Sequence, residues 1–513
     1  MDPAPPVATA TNHPNARPSF WSRDLALLLA IALATILIHL ITGGRYGFHR
    51  DELATLDDAR HLAWGYVAYP PITPLFARLS LMLFGTSLVG FRFFAALVEA
   101  AAVVLTGLMA RELGGNRGAQ LVAALAAVPF CLAGGSLMQY VSFDYFFWVL
   151  TAYFVVRLLA TQNPRWWLAI GISIGLGMQT KYTMGFFALG IVAGVLFTYA
   201  RRFLKSHWLW LGVALSVLVF LPNVLWQAQH HFISLDFLNY IHARDIRIGR
   251  TRNFLPAQFN MTLLAFPLAL AGLYFYLLSA GGRRFRMLGW MYLVPLILFV
   301  VAKGRPYYLA AAYPMLYAAG SVWGEQWLAT LSRSWRNFVR VLAWTALLAD
   351  IALMFAIFLP MTPVNSKPWQ FASKINGDLR EELGWPELVE TIAQIRDQLP
   401  PDDRSHFGIL AGNYGEAGAI NLYGPRYRLP PAISGTNSYW LRSYPDSQPQ
   451  TLIVLGFSRT FLDENFASCE LVAHAANRYG VANEETEDYP GIFVCRNLKQ
   501  PWPEFWKHFR RFG

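Results

Sequence analysis

Up to about residue 360 the chain is a succession of apolar stretches, at 24–42, 88–110, 118–134, 143–160, 166–180, 183–200, 208–228, 258–279, 286–302, 307–330 and 337–360, broken by short polar links. A helix needs ~20 predominantly apolar residues to cross the hydrocarbon layer. The pattern therefore predicts about eleven spans, some of them short or barely separated. The first stretch, from about Leu25 to Ile41, is long for a secretory h-region and leads into no small-residue cleavage site, so a retained anchor is expected. After Pro360 the pattern changes. Helix-like PELVETIAQIRDQL and GEAGAINLYG alternate with short apolar runs, HFGILAG and TLIVLG, bounded by Gly or Pro. This reads as a small α/β unit. The expected organisation is a cytoplasmic tail at 1–22, a transmembrane domain at 23–360 and an extracytoplasmic α/β domain at 361–513. No repeat of fixed period is present.

Composition agrees: 55% of residues are hydrophobic and 14% charged, against roughly 25% charged in soluble domains. The net charge is +11, but the basic residues sit in clusters on alternate links: Arg17 and Arg23, Arg111 and Arg117, Arg157 and Arg165, Arg201, Arg202 and Lys205, Arg283, Arg284 and Arg286, then Arg333, Arg336 and Arg340. Such clusters mark cytoplasmic links and argue against a nucleic-acid groove. The remaining links, and everything after about Pro360, are then outward. Of three cysteines, Cys131 lies in an apolar run as a packing residue. Cys469 and Cys495 both fall in the outward part, where oxidation is permitted, so a disulfide and two unpaired thiols both stand as readings.

The outward links hold the unusual residues. In YGFHRDELATLDDARHLAWG, adjacent Asp51 and Glu52 follow the first span. Read as a helix lying in the membrane interface, this stretch puts Leu53, Leu56 and Ala63 on one face and Asp57, Asp58 and His61 elsewhere. Asp51 at the helix start fits an N-cap. Capping leaves Glu52 unexplained, and adjacent helical side chains diverge by about 100°, so the two need not share a proton. AYPPITPLFARLS, with Pro70, Pro71 and Pro74, forms a stiff turn before another interfacial helix. KGRPYYLAAAYP offers Lys303, Arg305, Tyr307 and Tyr308, either as span-end anchors or as donors to a phosphoryl oxygen. HARDIRIGRTRNF carries Arg244, Arg247, Arg250 and Arg252, which suit a lipid-headgroup face as well as a site, and Lys181 in QTKYTMG is a further cation. GISIGLG from Gly171 lies inside an apolar span and reads as helix packing.

YGFHRDEL, the downstream YPP, the TKY break and KGRPYYLAAAYP together resemble the bacterial family 39 glycosyltransferases, GT-C enzymes related to protein O-mannosyltransferases and the lipid A aminoarabinose transferase. The resemblance covers about residues 20–360, and NYGEAGAINLYG with SGTNSYW extends it into the C-terminal domain. It implies a GT-C-like fold in the bacterial inner membrane. It also implies a sugar donor on polyprenyl phosphate and an outward acceptor that is an envelope lipid, glycan or protein; no further cofactor and no metal site is read from the sequence. Asp51 matches the acidic position near the reaction, with Glu52 beside it. Lys303, Arg305, Tyr307 and Tyr308 fall in the region resembling the donor-phosphate site. Many relatives carry His or Lys before the paired prolines; here Tyr69 stands there, so Lys181 or a loop arginine such as Arg247 substitutes.

The chemistry accommodates a single base. A glycosidase needs two carboxyl groups because its leaving group must be protonated. A lipid phosphate leaves as a stable anion that cations can offset, while one carboxylate takes the acceptor's proton. Two rivals share these features: a transporter or flippase for an anionic lipid or solute, and a membrane anchor presenting the outer domain to a partner.

Overall fold

The computed structural model describes residues 23–513; the expected tail 1–22, with Arg17, lies outside the described residues. All eleven expected segments are helical. Among the described residues, eight helices are long and apolar enough to cross a membrane: α1 (Arg23–Thr42), Leu88–Glu112, Arg117–Gly134, Tyr140–Thr161, His207–Gln229, Phe254–Leu277, Arg283–Val301 and Arg333–Phe358. Met184–Phe197 with Tyr199–Lys205 makes a ninth if the pair, bent by 97°, is one span. The other two expected segments are Trp166–Met178, of 13 residues, and Tyr313–Thr330, which is buried in the bundle through most of its length. The GISIGLG run does pack helices: a Cβ on Gly171 would collide with the backbone of Gly212, so only glycine permits that approach.

Two short helices follow α1. They are α2 (Arg50–Arg60) and α3 (Ile72–Phe84), and the chain then enters α4 (Leu88–Glu112). The residue capping α2 is His49 rather than Asp51. Its ring Nδ1 accepts from the Asp51 N–H at 3.1 Å, and the Glu52 carboxylate accepts from the His49 N–H at 2.9 Å, which closes a capping box. The polar side of α2, read from the sequence as that of an interfacial helix, is covered by protein. The apolar residues Leu53 and Leu56 of α2 are buried, and so are Asp57 and Asp58 on its polar side, because the C-terminal domain covers them.

That domain is built on a five-stranded sheet in the order β2-β1-β3-β5-β4. The strands are β1 (Phe407–Ala411), β2 (Ala432–Ile433), β3 (Thr451–Leu455), β4 (Phe466–His474) and β5 (Gly491–Leu498). β1 runs parallel to β2 and β3, whereas β5 is antiparallel to β3 and β4. Alternation divides the faces. Leu410, Leu452, Val454 and Phe493 meet Trp502, Phe505 and Phe509, while Ile409, Ile453 and Val494 share a buried cluster with Trp385, Leu388, Leu53 and the membrane helices. The domain thus shares its core with the bundle. Cys469 and Cys495 are register partners on β4 and β5 and are joined by a disulfide; Cys131 is free and buried.

A buried ion cluster holds α2 to both halves. Arg92 of α4 donates from Nε to Glu52 Oε1 at 2.9 Å, and from Nη2 to Glu52 Oε2 at 2.6 Å and Glu382 Oε2 at 3.2 Å. Its Nη1 donates to the Gly43 carbonyl at 2.9 Å, and the Gly47 carbonyl lies 3.0 Å from Nη2, which it shares with the two carboxylates. All three charged side chains are buried. Arg92→Met leaves two buried carboxylates with no counter-charge, so it should cost roughly 3–5 kcal/mol. A lowered melting temperature of the purified protein in detergent is expected; an unchanged one would deny the cluster that role.

Candidate active site

A cavity of about 500 Å³ opens where α2, the start of α6 (Tyr140–Thr161, with α5 being Arg117–Gly134), the 181–183 break, the helix Ile233–Arg247, the 302–308 link and the C-terminal domain meet. Its lining includes the acids Asp51, Asp58 and Asp245, the phenols of Tyr69 and Tyr414, and the cations Lys181, Lys303, Arg305, Arg244 and Arg250. Residues from distant parts of the sequence therefore enclose one space that holds both acids and cations.

Asp51 and Glu52 part company here. The Glu52 side chain is 0% exposed, and its oxygens are occupied by Arg92, the His49 N–H and the Met138 N–H at 2.8 Å. Asp51, 38% exposed, lines the cavity. Its Oδ1 accepts from the Tyr414 hydroxyl at 2.8 Å and its Oδ2 from the Gln139 amide at 3.1 Å. Each oxygen retains a lone pair, so the group can still accept a proton. Asp58, also on the wall, is held by Arg442 Nη2 and by the Tyr69 hydroxyl at 2.6 Å, while Arg442 Nη1 reaches Asp57 Oδ2 at 2.5 Å. Tyr69 is thus turned toward Asp58.

Among the cations lining the cavity, Lys181 Nζ sits 4.2 Å from the Tyr308 ring centroid and 5.1 Å from those of Tyr140 and Tyr307, with Asp144 Oδ2 at 3.9 Å. Three rings and a carboxylate fix the ammonium at the cavity's edge. Arg305 forks onto Asp245, with Nε to Oδ2 at 2.5 Å and Nη2 to Oδ1 at 2.9 Å, leaving Nη1 for any ligand. Lys303 is exposed on the rim, in left-handed backbone with φ 49°. Such a conformation is unfavourable for a side-chain-bearing residue and tends to occur at functional sites. Two expected phosphate residues do not line the cavity: Arg247 is exposed at the end of its helix, where Arg244 and Arg250 line the wall instead, and Tyr307 acts behind Lys181.

Tyr414, Gln139, Asp245, Arg92 and Arg442 were not singled out from the sequence as site groups. For Arg92 a signal existed, because an arginine at the start of an apolar span is costly unless paired. Asp245 lay unremarked among four arginines. Tyr414 and Arg442 meet α2 only through the tertiary fold.

Residues 68–226 match the family model described as dolichyl-phosphate-mannose-protein mannosyltransferase. The chain is 25% identical over 303 residues to the undecaprenyl phosphate-alpha-4-amino-4-deoxy-L-arabinose arabinosyl transferase 1 of Pseudomonas fluorescens, covering 55% of this chain and 52% of that one. It thus spans about half the length of the curated relatives it matches. The structure superposes on ArnT from Cupriavidus metallidurans, solved bound to undecaprenyl phosphate, with a TM-score of 0.55 and 16% identity, covering 92% of this chain and 97% of that one. It also superposes on the mycobacterial arabinofuranosyltransferase AftD, at 0.52 and 14% identity, over 93% and 42% of the respective chains. By sequence the chain is similar to these transferases over part of its length, and its fold is similar to those of ArnT and AftD.

The helix Tyr414–Tyr423 that brings Tyr414 to the site is itself sensitive to protonation. Glu416 closes its capping box, accepting from the Gly412 N–H at 2.9 Å and the Asn413 N–H at 3.1 Å. Burial, with Glu485 adding to it, pushes the Glu416 carboxyl up to about 8. A carboxyl raised in the folded state binds more protons there than when unfolded, so its contribution to stability is present at low pH and lost as pH rises through about 8. Glu416→Gln keeps an acceptor without the titration. The melting temperature of the wild type should therefore fall relative to Glu416→Gln between about pH 5 and pH 8.5; parallel curves would exclude Glu416 as the titrating group.

Proposed function

We propose that this chain is a membrane glycosyltransferase that moves a sugar from a polyprenyl-phosphate donor to an acceptor hydroxyl. The observation carrying the reading is the cavity that brings one reachable carboxylate, Asp51, into the same space as Lys181, Lys303 and Arg305 at one end of a bundle of apolar helices. The relatives' names, which specify an undecaprenyl phosphate-linked sugar, support the donor class.

In this reading the donor phosphate lies against Lys181, Lys303 and the free edge of Arg305, with the Tyr308 hydroxyl at the same wall, and the lipid chain passes along the spans. The acceptor hydroxyl approaches from the Asp51 side. Asp51 takes its proton as the new bond to the anomeric carbon forms, and the bond to phosphate breaks with its electron pair remaining on the phosphate. Attack opposite the phosphate inverts the anomeric carbon. Glu52 acts behind this step by fixing the first turn of α2. The basic links joined by Arg117–Asp24, Arg157–Glu112 and Arg340–Glu325 mark the other end of the bundle, which supports a cytoplasmic N-terminus and an extracytoplasmic sheet domain in a bacterial inner membrane. The acceptor is then an envelope lipid, glycan or protein.

Asp51→Asn should reduce transfer by ~10³-fold or more, within the range for a lost general base, while undecaprenyl phosphate still binds. The same variant should accumulate a lipid-linked sugar detectable by mass spectrometry of membrane extracts. Near-normal transfer by Asp51→Asn would remove Asp51 from the mechanism. Lys181→Ala should weaken undecaprenyl phosphate binding ~10-fold; unaltered binding would move the phosphate site elsewhere.

A further inference from the structure

The helix Tyr414–Tyr423 lies beside α2 and runs in the same direction. Tyr414 meets Asp51 at its start, and at its end the Asn421 amide donates to Asp57 Oδ2 at 3.1 Å while Arg60 donates to the Asn421 carbonyl at 3.0 Å. Between them the contact is made by glycine. A Cβ on Gly418 would stand 2.7 Å from the Leu53 carbonyl carbon and 2.8 Å from its oxygen, and one on Gly415 would stand 2.9 Å from Arg50 Cβ. Any larger residue would push the helices apart. The Tyr414 ring is clamped as well, with the Arg50 guanidinium 4.9 Å from its centroid and Arg50 tied to Glu484 and Glu485. The phenol is left with little freedom beyond rotation of its hydroxyl.

We propose that Tyr414 is the positioning residue for Asp51, so that the C-terminal domain completes the reactive site. Its hydroxyl on Oδ1 and the Gln139 amide on Oδ2 fix the carboxylate plane from two sides and leave the remaining lone pairs facing the cavity. This rests on the reading of Asp51 as the base. In the transfer step the acceptor proton passes to Asp51, the acceptor oxygen bonds to the anomeric carbon, and the departing phosphate keeps the electron pair of the broken bond; Tyr414 retains its own proton throughout. Burial and the facing Asp51 carboxylate raise the hydroxyl above its ordinary range, which suits a group that donates without ionising. A sheet domain that merely displayed itself to a partner would have no need to reach Asp51.

The test uses the full-length protein in detergent, with native membranes as acceptor and, as donor, the lipid-linked sugar extracted from cells carrying Asp51→Asn. Removing a hydrogen bond to a charged group changes a rate by ~10- to 100-fold. Tyr414→Phe should lower kcat by that factor, with the KM for the donor and the affinity for undecaprenyl phosphate unchanged within about twofold. A wild-type kcat in Tyr414→Phe overturns the proposal, as does a change confined to KM. If Tyr414→Phe does not fold, Gly418→Ala replaces it: the hydroxyl is kept but pushed off α2, and kcat should fall while undecaprenyl phosphate still binds. Full activity in Gly418→Ala then overturns the proposal. Failure of the underlying reading looks different, since no lipid-linked sugar would accumulate with Asp51→Asn and the wild type would transfer none.

Discussion

The arrangement depends on one buried arginine. Arg92 brings the guanidinium of a membrane helix against Glu52 at the start of α2 and Glu382 in the C-terminal domain, with the Gly43 carbonyl accepting from Nη1 and the Gly47 carbonyl sharing Nη2. Isolated charges in such a place would each cost several kcal/mol, and only a nearly complete set of partners offsets that penalty. Two acids facing one guanidinium leave a surplus of negative charge. Burial, countered by Arg92, pushes Glu382 up to about 7, so the surplus is relieved at Glu382 by a proton taken up near neutrality. The cluster holds the start of α2 in one position relative to both the bundle and the sheet.

From that anchor the division between the two adjacent carboxylates follows geometrically. Consecutive helical side chains point about 100° apart, so once Glu52 is fixed inward on Arg92, Asp51 must emerge on another face. That face is the cavity. The His49 cap and the Gly418 contact stop α2 from rotating away. A buried acid used for rigidity thus sets the direction of an exposed one available for chemistry, and second-tier groups of this sort are what functional sites require.

The legible part of this protein was local. Apolar length marked every helical segment of the bundle, Gly- and Pro-bounded runs marked β1 and β3, and the acidic pair after the first span led to Asp51. Pairings at long range were not legible. Tyr414 and Asp51 are 363 positions apart, Arg442 and Asp57 are 385 apart, and Arg92 and Glu382 are 290 apart. The periodicity of α2 showed one apolar face and so implied an interfacial helix; nothing in that periodicity could say that an arginine from the C-terminal domain would neutralise its polar face. Arg247 was grouped with its neighbours by composition, yet α-helical rotation turned Arg244 inward and left Arg247 outside.

The cations of the cavity are themselves moderated. Lys181 has Asp144 at 3.9 Å, and Arg305 gives one edge to Asp245. On the proposed reaction this pairing has a kinetic use. A phosphodiester donor carries one negative charge, whereas the departing phosphate monoester gains part of a second. Unpaired cations would bind donor and product tightly alike, which lowers KM without raising kcat and slows release of the lipid phosphate. Offsetting each cation with an acid weakens the hold on the singly charged donor. The free edge of Arg305, the Lys181 ammonium and exposed Lys303 still respond to the charge that grows as the bond breaks. These cations are therefore better matched to the change in charge than to the charge already present, and in the proposed reaction that difference would accelerate transfer.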